Sequence, residues 1–423
     1  MVSVKSTITC DLEGVIETYN EAAAQIFGYT PEEVIGKKRV SLFSPGLVVL
    51  GHVERWLKVA REQSIYEGKT VFVRKDGTQF PAHIRITPTF RDGIQIGYCG
   101  VTEPIEESVE VPISVGTKLL SWLVVTRAPF LTAAIMPVLI GGAFAALMLP
   151  GGASFPTGLF LLTLLGVMML HLASNVFNDY FDWKRGTDQA NSTYFLKYSG
   201  GSRAIELGLI DLAGTWRLAW GLLAVAVAIG LFLTSQVGTG VLMLGLTGAA
   251  LGYFYTAPPV RLVARHGLGE LAIGLAFGPL ITLGTGYVVL GGFDLGWTGF
   301  LLGIPVGLLT ANILVINQIP DVEADASTGK NHLVVTLGAR RTPLLYGAIL
   351  ALAFLVHLWL AATTPGSTWL WWLPGVLLAA YGAYIIQYMV RHLERRTLVH
   401  ANVQTIQLNI LYGLLFSAVI LFG

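Results

Sequence analysis

The chain has little charge and almost no cysteine, and both shortages limit what it can be. Only 13% of its 423 residues are charged, the formal net charge is +1, and no basic tract is present. This composition argues against a protein that binds nucleic acid. The two cysteines, Cys10 and Cys99, are not spaced as a metal-binding pair, so free thiols in the cytosol are the simplest interpretation. The first residues, MVSVKSTITCDLEG, also lack the apolar core of a secretory signal peptide.

The charge that is present is unevenly distributed along the chain. Residues 1–110 contain 12 Lys and Arg and 15 Asp and Glu, whereas the other 313 residues contain only 15 and 11. The mean hydropathy of the whole chain is +0.64. We therefore predict a small soluble domain at residues 1–110, a linker at 111–118 and a mainly α-helical membrane domain at 119–423.

The soluble segment alternates between short strand and helix signals. Strands are predicted at 8–10, 15–19, 70–74, 79–87 and 95–101, with helices at 21–27, after Thr30 and near 51–62. Thr30-Pro31-Glu32-Glu33 has the pattern of a helix capping box with proline in the first turn. This order of elements, with DLEGVIETYNEAAAQIFGYTPEEVIGK and RKDGTQFPAHIRIT, resembles a PAS domain, a small α/β module. Its ligand is unknown, and regulation or homo-oligomerisation through it is a hypothesis.

Nine apolar segments follow the linker, each long enough to span about 30 Å of hydrocarbon. They run roughly over 119–148, 155–183, 213–234, 238–256, 269–290, 296–319, 342–361, 369–390 and 403–422. The loops at 149–154, 235–237, 291–295 and 362–368 contain no Lys or Arg, whereas the loops at 184–212, 257–268, 320–341 and 391–402 are basic. Because cytoplasmic loops carry the excess of positive charge, we predict a multi-pass protein of the inner (cytoplasmic) membrane. Its amino-terminal domain would lie in the cytoplasm and its carboxyl terminus outside.

A polar cluster ends the second apolar segment, in ASNVFNDYFDWKRGTD at residues 173–188. Four of its side chains are spaced at i, i+3, i+4 and i+7 and so share one helix face, namely Asn175, Asn178, Asp179 and Asp182. Asp188 follows Gly186, just past the predicted end of the helix. Ionisable groups at membrane depth are costly and by default mark a functional site that faces the bundle interior or water.

A second acidic cluster follows another apolar segment, in NQIPDVEAD. Asn317, Asp321 and Asp325 form one stripe if the helix continues past Pro320. Two such clusters on one side of the membrane could face each other, and five converging carboxylates would repel unless cations lay between them. Since Mg²⁺ commonly binds through a few carboxylates plus substrate phosphates, we predict a Mg²⁺–diphosphate site at the membrane surface. The alternative is two ordinary solvated helix ends.

Two acidic motifs after the second and sixth of nine apolar segments resemble the UbiA superfamily of intramembrane aromatic prenyltransferases. Within that superfamily, NDYFDWKRGTD followed by SGGSR, and GLGE after YFYTAPPVRL, are most similar to the 1,4-dihydroxy-2-naphthoate polyprenyltransferases of menaquinone synthesis. The resemblance implies Mg²⁺-dependent transfer of a polyprenyl group from an allylic diphosphate to that aromatic acceptor in the lipid bilayer. Two features depart from the family, namely PDVEADASTGKNHL, where a threonine often follows the lysine, and the PAS module.

The resemblance also implies a role for each candidate residue. Asp179, Asp182 and Asp188 would hold one Mg²⁺, and Asp321 and Asp325 a second. Asn175, Asn178 and Asn317 would orient ligands or phosphate oxygens, Lys184, Arg203, Arg261 and Lys330 would hold the diphosphate, and Tyr253 and Tyr255 would flank the allylic cation. The alternatives left open are another acceptor, such as 4-hydroxybenzoate, homogentisate or another lipid precursor, and a PAS-regulated membrane sensor or transporter without transferase activity.

Overall fold

The computed structural model describes residues 5–12, 14–44, 52–76, 78–107, 109, 122–190, 201–205, 209–293, 295–393 and 396–422. The predicted linker at 111–118, with the domain boundaries on either side of it, lies outside these residues. The chain divides into two compact units, one of Met1–Val125 with Ala204–Asp211 and one of Thr126–Arg203 with Leu212–Gly423. Each unit has its own hydrophobic core.

The amino-terminal unit contains an antiparallel sheet of five strands. These are β1 (Ser6–Asp11), β2 (Ile16–Tyr19), β3 (Tyr66–Val73), β4 (Gln79–Arg91) and β5 (Ile94–Pro104), in the spatial order β2-β1-β5-β4-β3. Helices α1 (Glu21–Phe27), α2 (Pro31–Val34) and α3 (His52–Gln63) come between β2 and β3 in the chain. The predicted order of strands and helices is confirmed, although β4 and β5 are longer than predicted.

Phe27, the last residue of α1, lies at the centre of this unit's core. Its ring centroid is 4.2 Å from that of Phe43, 5.7 Å from that of Phe72 and 5.6 Å from that of Phe80. Burial of these rings removes a large apolar area from water and holds the helix on the sheet. The predicted capping box is present as well, because Glu33 Oε2 accepts a hydrogen bond from the Thr30 N–H at 2.9 Å.

The second unit contains only helices and loops in its described part. Its α-helices are α4 (Thr132–Met148), α5 (Thr157–Arg185), α6 (Thr187–Ala190), α7 (Leu212–Val237), α8 (Gly240–Phe254), α9 (Leu268–Leu275), α10 (Ile281–Val289), α11 (Gly296–Asn317), α12 (Val322–Ser327), α13 (Leu333–Leu337), α14 (Thr342–Thr363), α15 (Leu373–His392) and α16 (Val399–Phe422). Seven helical stretches among the described residues are long and apolar enough to cross a membrane, and α4 and α8 are shorter apolar helices. Together they coincide with the nine apolar segments, which confirms the predicted polytopic membrane fold.

The stretch from α9 to α10 crosses α11 at glycine residues. A Cβ atom on Gly278 would lie 2.8 Å from Gly307 Cα, and one on Gly303 would lie 2.5 Å from Pro279 N. Gly303 and Gly307 are four residues apart, as are Gly274 and Gly278, and such small-xxx-small pairs let two helix backbones approach closely in a membrane. The close crossing helps to position α11, whose end leads into the second acidic motif.

We expect the substitution Gly307→Ala to lower the midpoint of thermal unfolding in detergent by several degrees. The added methyl group would overlap Gly274 O and approach Gly278 Cα, and overpacking of this kind costs about 1–3 kcal/mol. Gly230→Ala in α7 is the matched control, since a Cβ atom there meets nothing within 4 Å. That variant should be neutral or slightly stabilised, because alanine favours the helix. Equal losses in both variants would contradict a specific role for the crossing.

Candidate functional site

The first acidic motif lies at the end of α5. Asp179 and Asp182 are both buried there. Gly186 ends the helix in the left-handed conformation, with φ 79°, which glycine adopts without a steric penalty. The chain then enters the short helix α6, which carries the buried Asp188. One glycine turn therefore brings the third carboxylate back into the interior, just past the helix end as predicted.

Two arginines contact this motif. Arg127 Nη2 lies 2.8 Å from Asp179 Oδ1. Arg203, which is 2% exposed, donates from Nη1 to the backbone carbonyl oxygen of Asp188. The φ angles of the two arginines are 53° and 57°, a conformation that costs energy for residues other than glycine. Such backbone strain is concentrated at functional sites, so these arginines are candidates for binding an anionic ligand.

The second acidic motif is divided by a break in the helix. Helix α11 ends at Asn317, a 3₁₀ turn runs over Ile319–Asp321, and α12 follows, because Pro320 has no N–H to continue α-helical hydrogen bonding. Asn317 Oδ1 accepts a hydrogen bond from Asn402 Nδ2 at 2.7 Å, whereas Asp325 is buried beyond the break. Asn317, Asp321 and Asp325 therefore do not form one stripe on a continuous α-helix, because the 3₁₀ turn interrupts the helix at Pro320.

Lys330 joins the two motifs. Its Nζ lies 2.8 Å from Asp182 Oδ2 and 3.7 Å from Asp325 Oδ1. Burial acts to lower the pKa of Lys330, but the two carboxylates more than offset this effect and raise its pKa. The ammonium group therefore stays charged, and carboxylates from both motifs meet around it.

His332 contacts Asp325 as well. The imidazole is fully buried, its Nε2 lies 3.0 Å from Asp325 Oδ2, and its Nδ1 accepts the Val335 N–H at 3.2 Å. Because a backbone N–H can only donate, Nδ1 is unprotonated and Nε2 donates to the carboxylate. His332 thus orients Asp325 relative to Lys330.

The donor set fits a magnesium ion that is shared with a diphosphate. Burial raises the pKa of Asp188, Arg203 lowers it, and the charges of Asp182 and Asp179 raise it again, so a cation would relieve real repulsion. Asp179 Oδ2 and Asn178 Oδ1 are buried without a hydrogen-bond partner among the described residues. In that part of the chain no group of three or more His, Cys, Asp or Glu side chains is arranged to hold a metal ion by itself. Mg²⁺ does not need such a cage, since it commonly combines a few carboxylates with water and substrate phosphates.

Lys330, Asp182 and Asp325 form the centre of the site. Several other candidates have contacts outside these three residues. Asn175 Nδ2 donates to Thr126 O at 3.3 Å, the Tyr253 ring packs on Phe177 at 5.1 Å, and Lys184 Nζ lies 5.6 Å from the Tyr180 ring centroid. Arg261 has a φ of 49°. Burial and the charge of Arg185 lower its pKa, and the opposing charge of Asp182 does not offset them. Asp321 is half-buried in the 3₁₀ turn.

Arg127 and His332 contact aspartates of the two motifs, and Glu270 contacts Leu333 beside His332, but none of the three is among the sequence-based candidates. Arg127 precedes its partner Asp179 by 52 residues, so no periodic pattern connects them. His332 stands two residues after Lys330, in the part of the motif that departs from the family. Glu270 belongs to GLGE, and its carboxylate accepts the Leu333 N–H at 3.1 Å. The signal that could have identified Glu270 is a carboxylate in the first turn of an apolar helix.

Both units match known families. Residues 134–410 match the UbiA prenyltransferase family, and residues 4–103 match the PAS domain family. The 1,4-dihydroxy-2-naphthoate octaprenyltransferase of Bacillus subtilis is 27% identical over 292 residues, which is 69% of this chain and 89% of that protein. The protein of the same name from Mycobacterium tuberculosis is 32% identical over 244 residues, which is 58% of this chain and 79% of that protein.

A solved structure shares the fold of the membrane unit. A UbiA homologue from Archaeoglobus fulgidus, bound to GPP and Mg²⁺, has a TM-score of 0.51 and 19% sequence identity. The match covers 71% of this chain and 99% of that one. Because the sequence identity is only 19%, the similarity establishes a shared fold and no more, and that fold agrees with the helical architecture described above.

The absence of a side chain at Gly201 is predicted to be essential for ligand binding. A Cβ atom there would lie 2.9 Å from Arg127 Nη2, 3.1 Å from Asp179 Oδ1 and 3.4 Å from Asp188 Oδ1. We expect Gly201→Ala to weaken binding of Mg²⁺ with pyrophosphate by about tenfold or more, in line with the cost of overpacking. The binding is measured as a ligand-induced shift in thermal unfolding.

Gly152→Ala is the control for backbone strain. Gly152 has a φ of +85°, close to the +82° of Gly201, but a Cβ atom there meets nothing within 4 Å. This variant should bind the ligands as the unmodified protein does. Similar binding by both alanine variants would exclude Gly201 from the site.

Proposed function

The chain belongs to the UbiA prenyltransferase family, and from that premise we propose that this multi-pass membrane enzyme transfers a polyprenyl group to 1,4-dihydroxy-2-naphthoate in a Mg²⁺-dependent reaction. The observation that carries the proposal is the contact of Lys330 with both acidic motifs, 2.8 Å from Asp182 and 3.7 Å from Asp325. It brings the anionic groups that such a reaction requires to one buried centre. The names of the relatives from Bacillus subtilis and Mycobacterium tuberculosis support the choice of acceptor.

The reaction requires stabilisation of a leaving group and of a cation. The allylic C–O bond breaks, pyrophosphate leaves, and a ring carbon of the acceptor attacks the delocalised allylic cation. In the naphthoate reaction the prenyl group replaces the ring carboxyl group, which leaves as CO₂. Bound Mg²⁺ supplies charge neutralisation to the departing pyrophosphate.

The proposal divides the residues of the site by what they bind. Asp179, Asp182 and Asp188 would hold one Mg²⁺, and Asp321 and Asp325 a second. Lys184, Arg203, Arg261 and Lys330, together with Arg127, are the candidates to bind diphosphate oxygens, with Asn175, Asn178 and Asn317 as orienting amides. The rings of Tyr253 and Tyr255 are the candidates to face the allylic cation. His332 acts on this set by orienting Asp325, to which it donates a hydrogen bond.

The orientation of the protein in the membrane is also a proposal. Each acidic motif ends an apolar segment and runs directly into a basic loop, 184–212 after the first motif and 320–341 after the second. The excess of positive charge on cytoplasmic loops supports a location in the inner membrane with the PAS domain and the acidic motifs on the cytoplasmic side. On this water-exposed cytoplasmic side a diphosphate group would enter the site while its prenyl chain stays in the lipid.

We expect Asp182→Asn and Asp321→Asn each to lower prenyl transfer by about a hundredfold or more at saturating Mg²⁺. Each change removes a negative charge from the proposed metal site, and loss of one group that stabilises developing charge costs on the order of 10²–10³ in rate. Transfer is measured in membranes with labelled prenyl diphosphate. Glu323→Gln is the control, since Glu323 is exposed on α12. Full activity of either aspartate variant would remove that carboxylate from the mechanism.

The acceptor is tested by incubating the membranes with a panel of aromatic acids. We expect 1,4-dihydroxy-2-naphthoate to give the main product, with a mass that reflects gain of the prenyl group and loss of CO₂. Mass spectrometry separates this product from those of 4-hydroxybenzoate and homogentisate. A main product from one of these other acids would leave the family assignment in place and replace the proposed acceptor.

A further inference from the structure

Glu270 has one carboxylate oxygen without a hydrogen-bond partner among the described residues. It stands in the first turn of α9 and is 4% exposed. Its Oε1 accepts the Leu333 N–H at 3.1 Å, but its Oε2 is buried and has no hydrogen-bond partner among the described residues. A buried acceptor without a partner is costly. The free oxygen therefore points to a ligand that would donate to it.

Tyr255 contributes a second unpartnered group beside Glu270. It is 8% exposed, and its hydroxyl likewise has no partner within the described part of the chain. Gly269 brings the ring against the start of α9, because a Cβ atom on that glycine would lie 3.3 Å from Tyr255 Cε2. A tyrosine hydroxyl can donate one hydrogen bond and accept others, so this group can donate to a ligand.

The two groups adjoin the buried acidic centre. The loop before α9 is joined to the segment after Lys330, because the His266 N–H donates to the carbonyl oxygen of Asn331 at 2.9 Å. The backbone of Leu333, which contacts Glu270, directly follows His332, whose ring contacts Asp325. One acceptor and one donor, both buried and both without a partner in the described part of the chain, therefore lie beside the segment that carries Lys330 and His332.

We propose that Glu270 and Tyr255 form a binding pair for a hydroxyl group of the aromatic acceptor. Glu270 Oε2 accepts the hydrogen bond of an acceptor hydroxyl, and Tyr255 Oη donates to an acceptor oxygen. A ring hydroxyl that donates to a carboxylate is more electron-releasing, so the same contact orients the acceptor and makes its ring carbon a better nucleophile. This inference rests on the proposed function, since it assumes an aromatic acceptor that carries a hydroxyl group.

The substitution Glu270→Gln separates this role from a structural one. Glutamine keeps a carbonyl oxygen for the Leu333 N–H, but its amide nitrogen turns the free acceptor into a donor. In the full-length enzyme in membranes, we expect the KM for the acceptor to rise about tenfold or more, with the KM for the prenyl diphosphate unchanged. Tyr255→Phe, which removes only the hydroxyl oxygen, should give the same division between the two KM values.

Two further measurements complete the test. Tyr287→Phe in α10 is the matched control and should change neither KM. Methylation of the acceptor hydroxyl should lower kcat/KM about tenfold for the unmodified enzyme and little for Glu270→Gln, because the variant has already lost the contact.

The outcomes distinguish this inference from the proposed function. If the unmodified enzyme is active and the acceptor KM is unchanged in both Glu270→Gln and Tyr255→Phe, the hydroxyl-binding pair is overturned and the proposed function stands. If the unmodified enzyme prenylates no hydroxylated aromatic acid, both are overturned. Should Glu270→Gln not fold, the nearly isosteric Tyr255→Phe decides the question alone.

Discussion

The buried ion contact of Lys330 with Asp182 and Asp325 is the interaction on which the candidate site depends. Burying a charge costs several kcal/mol even after the protein relaxes, and only a close opposite charge offsets that cost. The partners come from the end of α5 and from the region after α11, and Lys330 is 148 residues from Asp182. The electrostatic requirement therefore also constrains the fold, because the end of α5 must approach the segment after α11 for Lys330 to compensate the charge of Asp182.

Hydrogen bonds hold the segment around Lys330 in place, and they involve groups next to the same buried charges. His332 donates to Asp325 and accepts from the start of α13, while Glu270 accepts the Leu333 N–H. The lysine, the histidine and one backbone amide thus belong to a stretch of four residues held by α9 and α12. Groups that orient a charged side chain in this way determine where it points as well as how strongly it binds. A substitution in this segment is therefore expected to displace several side chains of the site together.

A large part of the fold and of the site could be predicted from local patterns. The nine apolar segments, the five strands and the capping box at Thr30 were predictable because hydropathy and helix capping depend on residues close in the chain. The acidic face of α5 followed from helical spacing. The second motif was less predictable, because the helix that would have aligned its side chains gives way to a 3₁₀ turn at Pro320. Arg127 and Glu270 could not be found by spacing, since each meets its partner across more than fifty residues.

Hydropathy, charge distribution and two acidic motifs were enough to identify a PAS module, a helical membrane bundle and the prenyltransferase family to which the bundle belongs. Hydropathy and charge are sums over residues that are neighbours in the sequence, so they do not depend on the tertiary structure. The pairing of Arg127 with Asp179, the contact of Lys330 with both motifs and the contact of Glu270 with the Leu333 N–H were decided only by the tertiary structure. They depend on how helices cross, and glycines such as Gly278 and Gly307 set that crossing through contacts between distant parts of the chain.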